Sequence, residues 1–273
     1  MLITGLPRAG TTLLASLLNR LPDTVALVEP LDARRFMMYR EPEDMVDGIT
    51  KFIAAQRCSI LQNGTAISFH TDGNIPDNFF GDHRDSRGKR VNLEIQRGEI
   101  RIGKQLADDF LFAIKDNASF TALLAPLSAR FPVFAVVRNP LSVLASWRSV
   151  SLPVANGHVP MAEAIDGQLA AELAEMDDVH ARQIHILGWF YAKFLAVLPA
   201  SHIIRYEEVI STSGKALSVI NPLANTLDEK LENRNRNKLY DKTVTRELQR
   251  RLINTDGAYW QFYDRESIAN FPT

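Results

Sequence analysis

The sequence contains almost no cysteine and almost no net charge. Cys58 is the single cysteine among 273 residues, so no internal disulfide can form, and no neighbouring histidine or acid supports a nucleophilic thiol. With 31 basic and 32 acidic residues, the formal net charge is −1, which gives no general attraction to nucleic acid or to anionic membranes. Any anion that this protein binds must therefore be held by a local cluster of cations.

Long apolar runs are absent as well. No stretch approaches the roughly 20 apolar residues of a membrane-spanning helix, and no leader with a basic start and an apolar centre is recognisable. These absences favour a cytoplasmic protein without a membrane or nucleic-acid partner. The hydrophobic content of 46% and the length predict one domain over residues 1–273 with a sizeable core.

Short apolar segments alternate with segments of helical periodicity along the chain. The predicted strands are residues 1–4, 24–28, 110–115, 133–137 and 202–206, and the predicted helices are 12–20, 32–58, 120–130, 141–150, two within 160–198, and 243–253. Residues 60–103 are rich in glycine-containing turn pairs and predict an irregular excursion of loops or hairpins. The alternation predicts an α/β fold, a three-layer sandwich with a mostly parallel central sheet and helices on both faces.

A glycine-rich loop joins the first predicted strand to the first predicted helix. Its sequence is Gly5-Leu-Pro-Arg8-Ala-Gly10-Thr11-Thr12. Glycines allow successive backbone N–H groups to point at one anion, and the helix dipole favours negative charge there. The spacing and the flanking elements predict phosphate binding, and the alternative is an ordinary strand-to-helix turn with a helix N-cap.

The loop departs from the pattern of ATP-hydrolysing proteins. Thr11 stands where such loops carry the lysine that reaches the β- and γ-phosphates, and the cation lies inside the loop as Arg8. The strongly apolar segment 133–137 ends in Arg138 rather than in an aspartate that would bind magnesium. Both departures argue against metal-assisted ATP chemistry and predict no metal site.

The loop resembles the phosphosulfate-binding loop of the sulfotransferase superfamily, especially the Pro-Arg-Ser-Gly-Thr-Thr form of tyrosylprotein-type and related bacterial members. Ala9 replaces the usual serine. The resemblance implies a fold like that of the P-loop nucleotide hydrolases, with 3′-phosphoadenylyl sulfate (PAPS) as donor and adenosine 3′,5′-bisphosphate (PAP) as product. The loop residues implied to bind the donor are Pro7, Arg8, Ala9, Gly10, Thr11 and Thr12.

A second segment, Val136–Ser146, resembles the 3′-phosphate motif of the same superfamily. There an arginine at a strand end and a serine eight residues later hold the donor's 3′-phosphate, and Arg138 and Ser146 have that spacing here. A guanidinium group can donate two parallel hydrogen bonds to phosphate oxygens. The alternative is a helix-entry turn at Arg138 and a core hydroxyl at Ser146.

Three further matches are weaker. Lys115 lies in a segment similar to the family's Lys-Asp-Pro strand end, with asparagine in place of proline. Tyr206 matches a Tyr-Glu-Asp strand end, whose aromatic ring lies against the adenine in the family. Arg234 and Arg236 lie in a basic stretch that either covers the 3′-phosphate or is a solvated loop.

Sulfuryl transfer requires a base for the acceptor and cations for the departing phosphate. Glu29 follows the second predicted strand, at the sheet edge where ligands bind in open α/β folds, and the resemblance implies that a glutamate in this place is the base. Arg8 and Lys115 would stabilise the departing phosphate. The alternative for Glu29 is a strand-end residue paired with Arg34 or Arg35, and His70 is the runner-up base.

The sequence therefore predicts a sulfotransferase that moves a sulfuryl group from PAPS to an acceptor hydroxyl or amine on a small molecule, a glycan or a peptide. Residues 32–103 and 150–180 are expected to line the acceptor site. A P-loop kinase is one alternative, although it would require magnesium and a loop lysine. A non-catalytic nucleotide-binding protein, in which Glu29 is dispensable, is another, and the oligomeric state stays open.

Overall fold

The computed structural model describes residues 1–32, 38–39, 41–86, 88–92 and 95–271. The strands are β1 (Leu2–Gly5), β2 (Thr24–Val28), β3 (Thr65–His70), β4 (Phe80–Arg84), β5 (Arg90–Asn92), β6 (Gln96–Arg101), β7 (Leu111–Lys115), β8 (Val133–Val137) and β9 (Ile203–Arg205). The helices are α1 (Thr11–Arg20), α2 (Pro42–Asn63), α3 (Ala118–Ala122), α4 (Leu124–Ser128), α5 (Pro140–Arg148), α6 (Pro160–Ile165), α7 (Gly167–Ala174), α8 (Val179–Val197), α9 (Tyr206–Ser211), α10 (Lys242–Ile253) and α11 (Arg265–Ala269). Short 3₁₀ turns occupy Pro153–Asn156, Ala200–His202, Lys215–Val219, Pro222–Thr226 and Ala258–Gln261.

Five strands form an all-parallel central sheet in the order β2-β7-β1-β8-β9. Every residue of β1, β2 and β8 is buried, as expected for apolar strands covered on both faces. Helices flank the sheet, which confirms the predicted α/β class and is consistent with a three-layer sandwich. Because all five strands run in one direction, the segments that follow them meet at one edge.

Three helix predictions differ from the structure. The two helices predicted within residues 160–198 are three, because Asp166 caps a new helix, α7, directly after α6. The prediction of one helix over residues 120–130 is wrong, because α3 ends at Ala122 and α4 begins at Leu124. This break places Pro126 in the first turn of α4, where its missing N–H is harmless. The helix predicted over residues 32–58 runs from Pro42 to Asn63, and its first residues lie partly outside the described chain.

The irregular excursion forms two antiparallel two-stranded sheets, of which the second is a hairpin between the strands of the first. In one of them β3 pairs with β6, and Ser68 Oγ accepts the backbone N–H of Val28 at 3.0 Å, next to the end of β2. In the other β4 pairs with β5, and the Arg90 backbone N–H donates to the Ser149 carbonyl at 2.8 Å. The region predicted as loops or hairpins is thus attached to the end of β2 and to the C-terminal end of α5.

Lys104 ties the end of α1 to the start of β2. Its Nζ donates to the carbonyl oxygens of Asn19 (2.6 Å), Leu21 (2.8 Å) and Thr24 (2.7 Å). We expect Lys104→Met to lower the free energy of unfolding by about 2 kcal/mol, because these carbonyls lose a charged donor. Urea denaturation measures this, with Lys51→Met on the exposed surface of α2 as the matched control. Equal free energies of unfolding for the two variants would contradict the stabilising role of Lys104.

Candidate functional site

A cavity of about 1060 Å³ opens at the carboxyl edge of the sheet. This volume reaches the upper end of the usual range for small-molecule pockets, roughly 300–1,000 Å³. The residues singled out from the sequence that line it are Pro7, Arg8, Gly10, Thr11, Thr12, Glu29, Lys115, Arg138, Ser146, Tyr206 and Arg234. Two others do not line the cavity: Ala9, within the loop, is fully buried, and Arg236 is exposed at the surface.

Gly10 shapes the glycine loop. It is the N-cap of α1 with φ of 95°, a left-handed conformation that favours glycine. A Cβ atom here would lie 2.7 Å from Cδ2 of Tyr206, so the loop and this ring require a bare backbone. Since Gly10 offers no side chain as a cap, the first-turn N–H groups of Thr11 and Thr12 have no side-chain partner at the helix start.

Arg8 extends from the loop across the cavity. Its Nη1 donates to Asn78 Oδ1 at 2.9 Å, and its Nε donates to Ser146 Oγ at 3.3 Å. The guanidinium carbon lies 4.5 Å from the centroid of the Phe80 ring. Arg8 also has φ of 70°, so a non-glycine residue occupies a strained backbone conformation at the centre of the site.

Buried arginines gather around this position. Arg90 is 3% exposed and Arg138 is 5% exposed, and both line the cavity with Arg8. Burial and, to a smaller extent, the charges of Arg90 and Arg138 together lower the pKa of Arg8 to about 9. A buried concentration of positive charge of this kind favours an anionic ligand. Arg90 was missed in the sequence, where it carries no motif and lies within the turn-rich excursion.

Arg138 bonds mainly to two loops. Its Nη1 donates to the Arg8 carbonyl at 2.8 Å, its Nη2 to the Arg234 carbonyl at 2.6 Å, and its Nε to Asn235 Oδ1 at 2.8 Å. The guanidinium stacks on Tyr206, 4.4 Å from the ring centroid. The predicted partners Arg138 and Ser146 are thus brought together through Arg8. The late loop, residues 227–241, contacts Arg138 through the backbone carbonyl of Arg234, not the Arg234 side chain, and through the amide oxygen of Asn235.

Glu29 and Lys115 form an ion pair at neighbouring strand ends. Val28 pairs with Lys115 in the sheet, the Glu29 N–H donates to the Lys115 carbonyl at 2.7 Å, and Lys115 Nζ contacts Glu29 Oε1. The Lys115 side chain is 3% exposed, whereas that of Glu29 is 40% exposed. Glu29 has φ of 45°, a second non-glycine residue in the left-handed region. The alternative partners Arg34 and Arg35 lie outside the described residues.

Asp116 is a half-buried residue beside this pair, and it also lines the cavity. It accepts hydrogen bonds from the backbone N–H (3.1 Å) and the hydroxyl (2.8 Å) of Ser119. Burial and, to a smaller extent, the charge of Glu29 together raise the pKa of Asp116 to about 6. Because this pKa lies above that of an unfolded aspartate, the folded protein loses stability as pH rises through about 6 and Asp116 ionises.

We expect Asp116→Asn to remove this pH-dependent loss of stability, because asparagine cannot ionise. At pH 7.5 the variant should exceed the native protein in unfolding free energy by about 2 kcal/mol, and near pH 4 the difference should disappear. The asparagine oxygen can still accept the bonds from Ser119, so the local structure is retained. Urea denaturation at both pH values measures the difference, and a difference independent of pH would contradict the assignment.

His70, the alternative base predicted from the sequence, lies away from the cavity, and a different histidine lines it. His70 is 5% exposed, accepts the Gly73 N–H on Nδ1 at 3.0 Å, and does not line the cavity. His158, which carries no sequence signal, does line it. Its Nδ1 lies 3.1 Å from Glu163 Oε2, and its Nε2 lies 3.1 Å from Nη1 of Arg182. Since an arginine can only donate, Nε2 is the acceptor in this contact and is already engaged.

The two segments expected to line the acceptor site both reach the cavity. Phe69 and Phe79 come from the excursion and form an edge-to-face pair with ring centroids 6.5 Å apart. Leu152 and Met161 come from the segment after α5. These two segments therefore give the cavity wall its aromatic and aliphatic surface.

No family model and no curated protein matches the sequence. Within the described ranges, none of the helices has the length and apolar character needed to cross a membrane. Among the same residues, no three side chains of histidine, cysteine, aspartate or glutamate converge as metal ligands would.

Proposed function

We propose that the protein is a sulfotransferase with a P-loop-type fold that moves a sulfuryl group from PAPS to an acceptor hydroxyl or amine. One observation carries this proposal: half-buried Arg8 and buried Arg90 and Arg138 line the same cavity as the glycine loop and the Glu29–Lys115 pair. A nucleotide with phosphate groups at both ends supplies the negative charge that such a cavity favours.

The residues present fit this donor at both ends. Thr11 and Thr12, with the uncapped N–H groups at the start of α1, would hold the phosphosulfate. Arg138 and Ser146 would hold the 3′-phosphate, and Arg234 lies at the same end of the cavity. Tyr206 is 5% exposed and is covered by the guanidinium of Arg138, so little of its ring is left to contact adenine.

The side chains at the sheet edge suit the chemistry. The bound donor supplies the sulfuryl group and a phosphate as the leaving group. Glu29 is the base that takes the acceptor's proton, and Lys115 holds its carboxylate at the strand end. Arg8 and Lys115 stabilise the negative charge that develops on the departing phosphate. Apolar wall residues such as Phe79 exclude water from the acceptor side.

Donor binding and transfer test this function separately. Calorimetry with PAP in the presence of EDTA should show binding, and radiolabelled PAPS with a cell extract should label an acceptor without magnesium. ATP with magnesium serves as the comparison, because a kinase would bind and use it. PAP binding without transfer to any acceptor would favour a non-catalytic nucleotide-binding protein. Absence of PAP binding would overturn the proposal.

A further inference from the structure

The carboxylate of Glu207 connects three segments that are distant in sequence. Its Oε1 accepts the backbone N–H of Asn139, at the start of α5, at 2.9 Å and the Nδ2 amide of Asn235, in the late loop, at 2.8 Å. Its Oε2 accepts the hydroxyl of Tyr263 at 2.8 Å. Glu207 thus joins the segment that carries Arg138 to the loop that covers it.

Asn235 transmits this contact to Arg138. Its Nδ2 donates to Glu207, and its Oδ1 accepts Nε of Arg138 at 2.8 Å. The orientation of the amide is fixed chemically, because a flipped amide would place its NH₂ against the guanidinium N–H and its oxygen against the carboxylate. Glu207 therefore determines which atom of Asn235 faces Arg138.

The neutral amide also keeps the two charges apart. A carboxylate in direct contact with Arg138 would compete with a phosphate for the same N–H groups. Through Asn235, Glu207 fixes one edge of the guanidinium, while the Arg8 carbonyl and the Tyr206 ring fix its opposite edge and its face. Arg138 is held in one orientation while its positive charge stays available to the cavity that it lines.

We propose that Glu207 is a positioning residue that orients Arg138 through Asn235 and thereby makes the site select nucleotides that carry a 3′-phosphate. This inference rests on the proposed function, because it concerns the same donor site. It adds that selectivity for the 3′-phosphate depends on two residues that carry no positive charge of their own.

The test compares two ligands that differ only in the 3′-phosphate, PAP and adenosine 5′-phosphate. Calorimetry gives both affinities for the native protein, for Glu207→Ala, Asn235→Ala and the double variant, and for Glu208→Ala as the exposed neighbouring control. We expect each single variant to lower the preference for PAP about tenfold, with the affinity for adenosine 5′-phosphate unchanged. The double variant should lose no more than either single variant, because both act through one contact.

The conservative change Glu207→Gln should retain most of the preference. Its amide oxygen can accept the N–H groups of Asn139 and Asn235 as the carboxylate does. If Glu207→Ala does not fold, as judged by circular dichroism, Asn235→Ala in the late loop carries the test, since this residue lies outside the helices and strands.

The outcomes separate the two proposals. A native protein that prefers PAP, together with variants that keep the full preference, would overturn the role of Glu207 alone. An equal loss of affinity for both ligands would also overturn it, because that result indicates a general structural effect. A native protein that does not bind PAP would overturn the proposed function and, with it, the inference.

Discussion

Replacing Glu29 by glutamine should lower kcat by roughly 10²- to 10⁴-fold, the usual contribution of a general base. The affinity for PAP should change little, since the glutamine oxygen can still accept a hydrogen bond from Lys115 and keep the strand ends in place. Steady-state label transfer from PAPS gives kcat, and calorimetry gives the affinity for PAP. A fall in kcat without a fall in donor affinity identifies a group that acts in the chemical step.

The matched control for this change is Glu99→Gln, on the exposed surface of β6, which should leave kcat unchanged. Turnover at the native rate in Glu29→Gln would show that another group is the base. His70 does not line the cavity, so His158 would then be the histidine to test.

Arg8→Met should act in opposite directions on activity and stability. We expect kcat to fall roughly 10²- to 10³-fold, because the departing phosphate loses a cationic hydrogen-bond donor. The lowered pKa of Arg8, about 9, shows that the folded protein disfavours its charge at any pH below that value. Removing this charge should therefore raise the melting temperature by about 3 °C, even though the contacts to Asn78 and Ser146 are lost.

Arg20→Met is the matched control for this second change. Arg20 pairs on the surface with Asp77 at 2.9 Å and with Glu229, so its loss should cost at most about 1 kcal/mol and leave kcat unchanged. A lower melting temperature of Arg8→Met with native turnover would show that Arg8 is a structural residue rather than part of the site.

The sequence predicted those elements whose structure is determined by residues that are neighbours along the chain. The strand from Leu2, the glycine loop and α1 follow from consecutive residues, since apolar runs, glycines and leucine spacing act over a few positions. The same holds for β8 and Arg138 at its end. Glu29 and Lys115 were predicted separately as strand-end residues, and the parallel sheet then brings them together.

The rest depends on contacts between distant segments. Arg90 reaches the cavity because β5 pairs with β4 and attaches to Ser149, and no pattern in residues 60–103 specifies that attachment. The link between Glu207 and Asn235 spans 28 residues and uses an ordinary glutamate and an ordinary asparagine. The left-handed conformations of Arg8 and Glu29 were also unpredictable, because neither residue type prefers them.

The strand order also has a consequence for how the protein acquires its activity as it folds. Leu2 pairs with Ile114 on one side and with Val133 on the other, so β1 joins the sheet only after long loops have closed. Non-local parallel pairing of this kind is intrinsically slow, whereas helices such as α8 form early. In a refolding experiment, the helical signal should therefore return before turnover, since the glycine loop is placed only when β1 is in register and Glu29 meets Lys115 only when β2 has paired with β7.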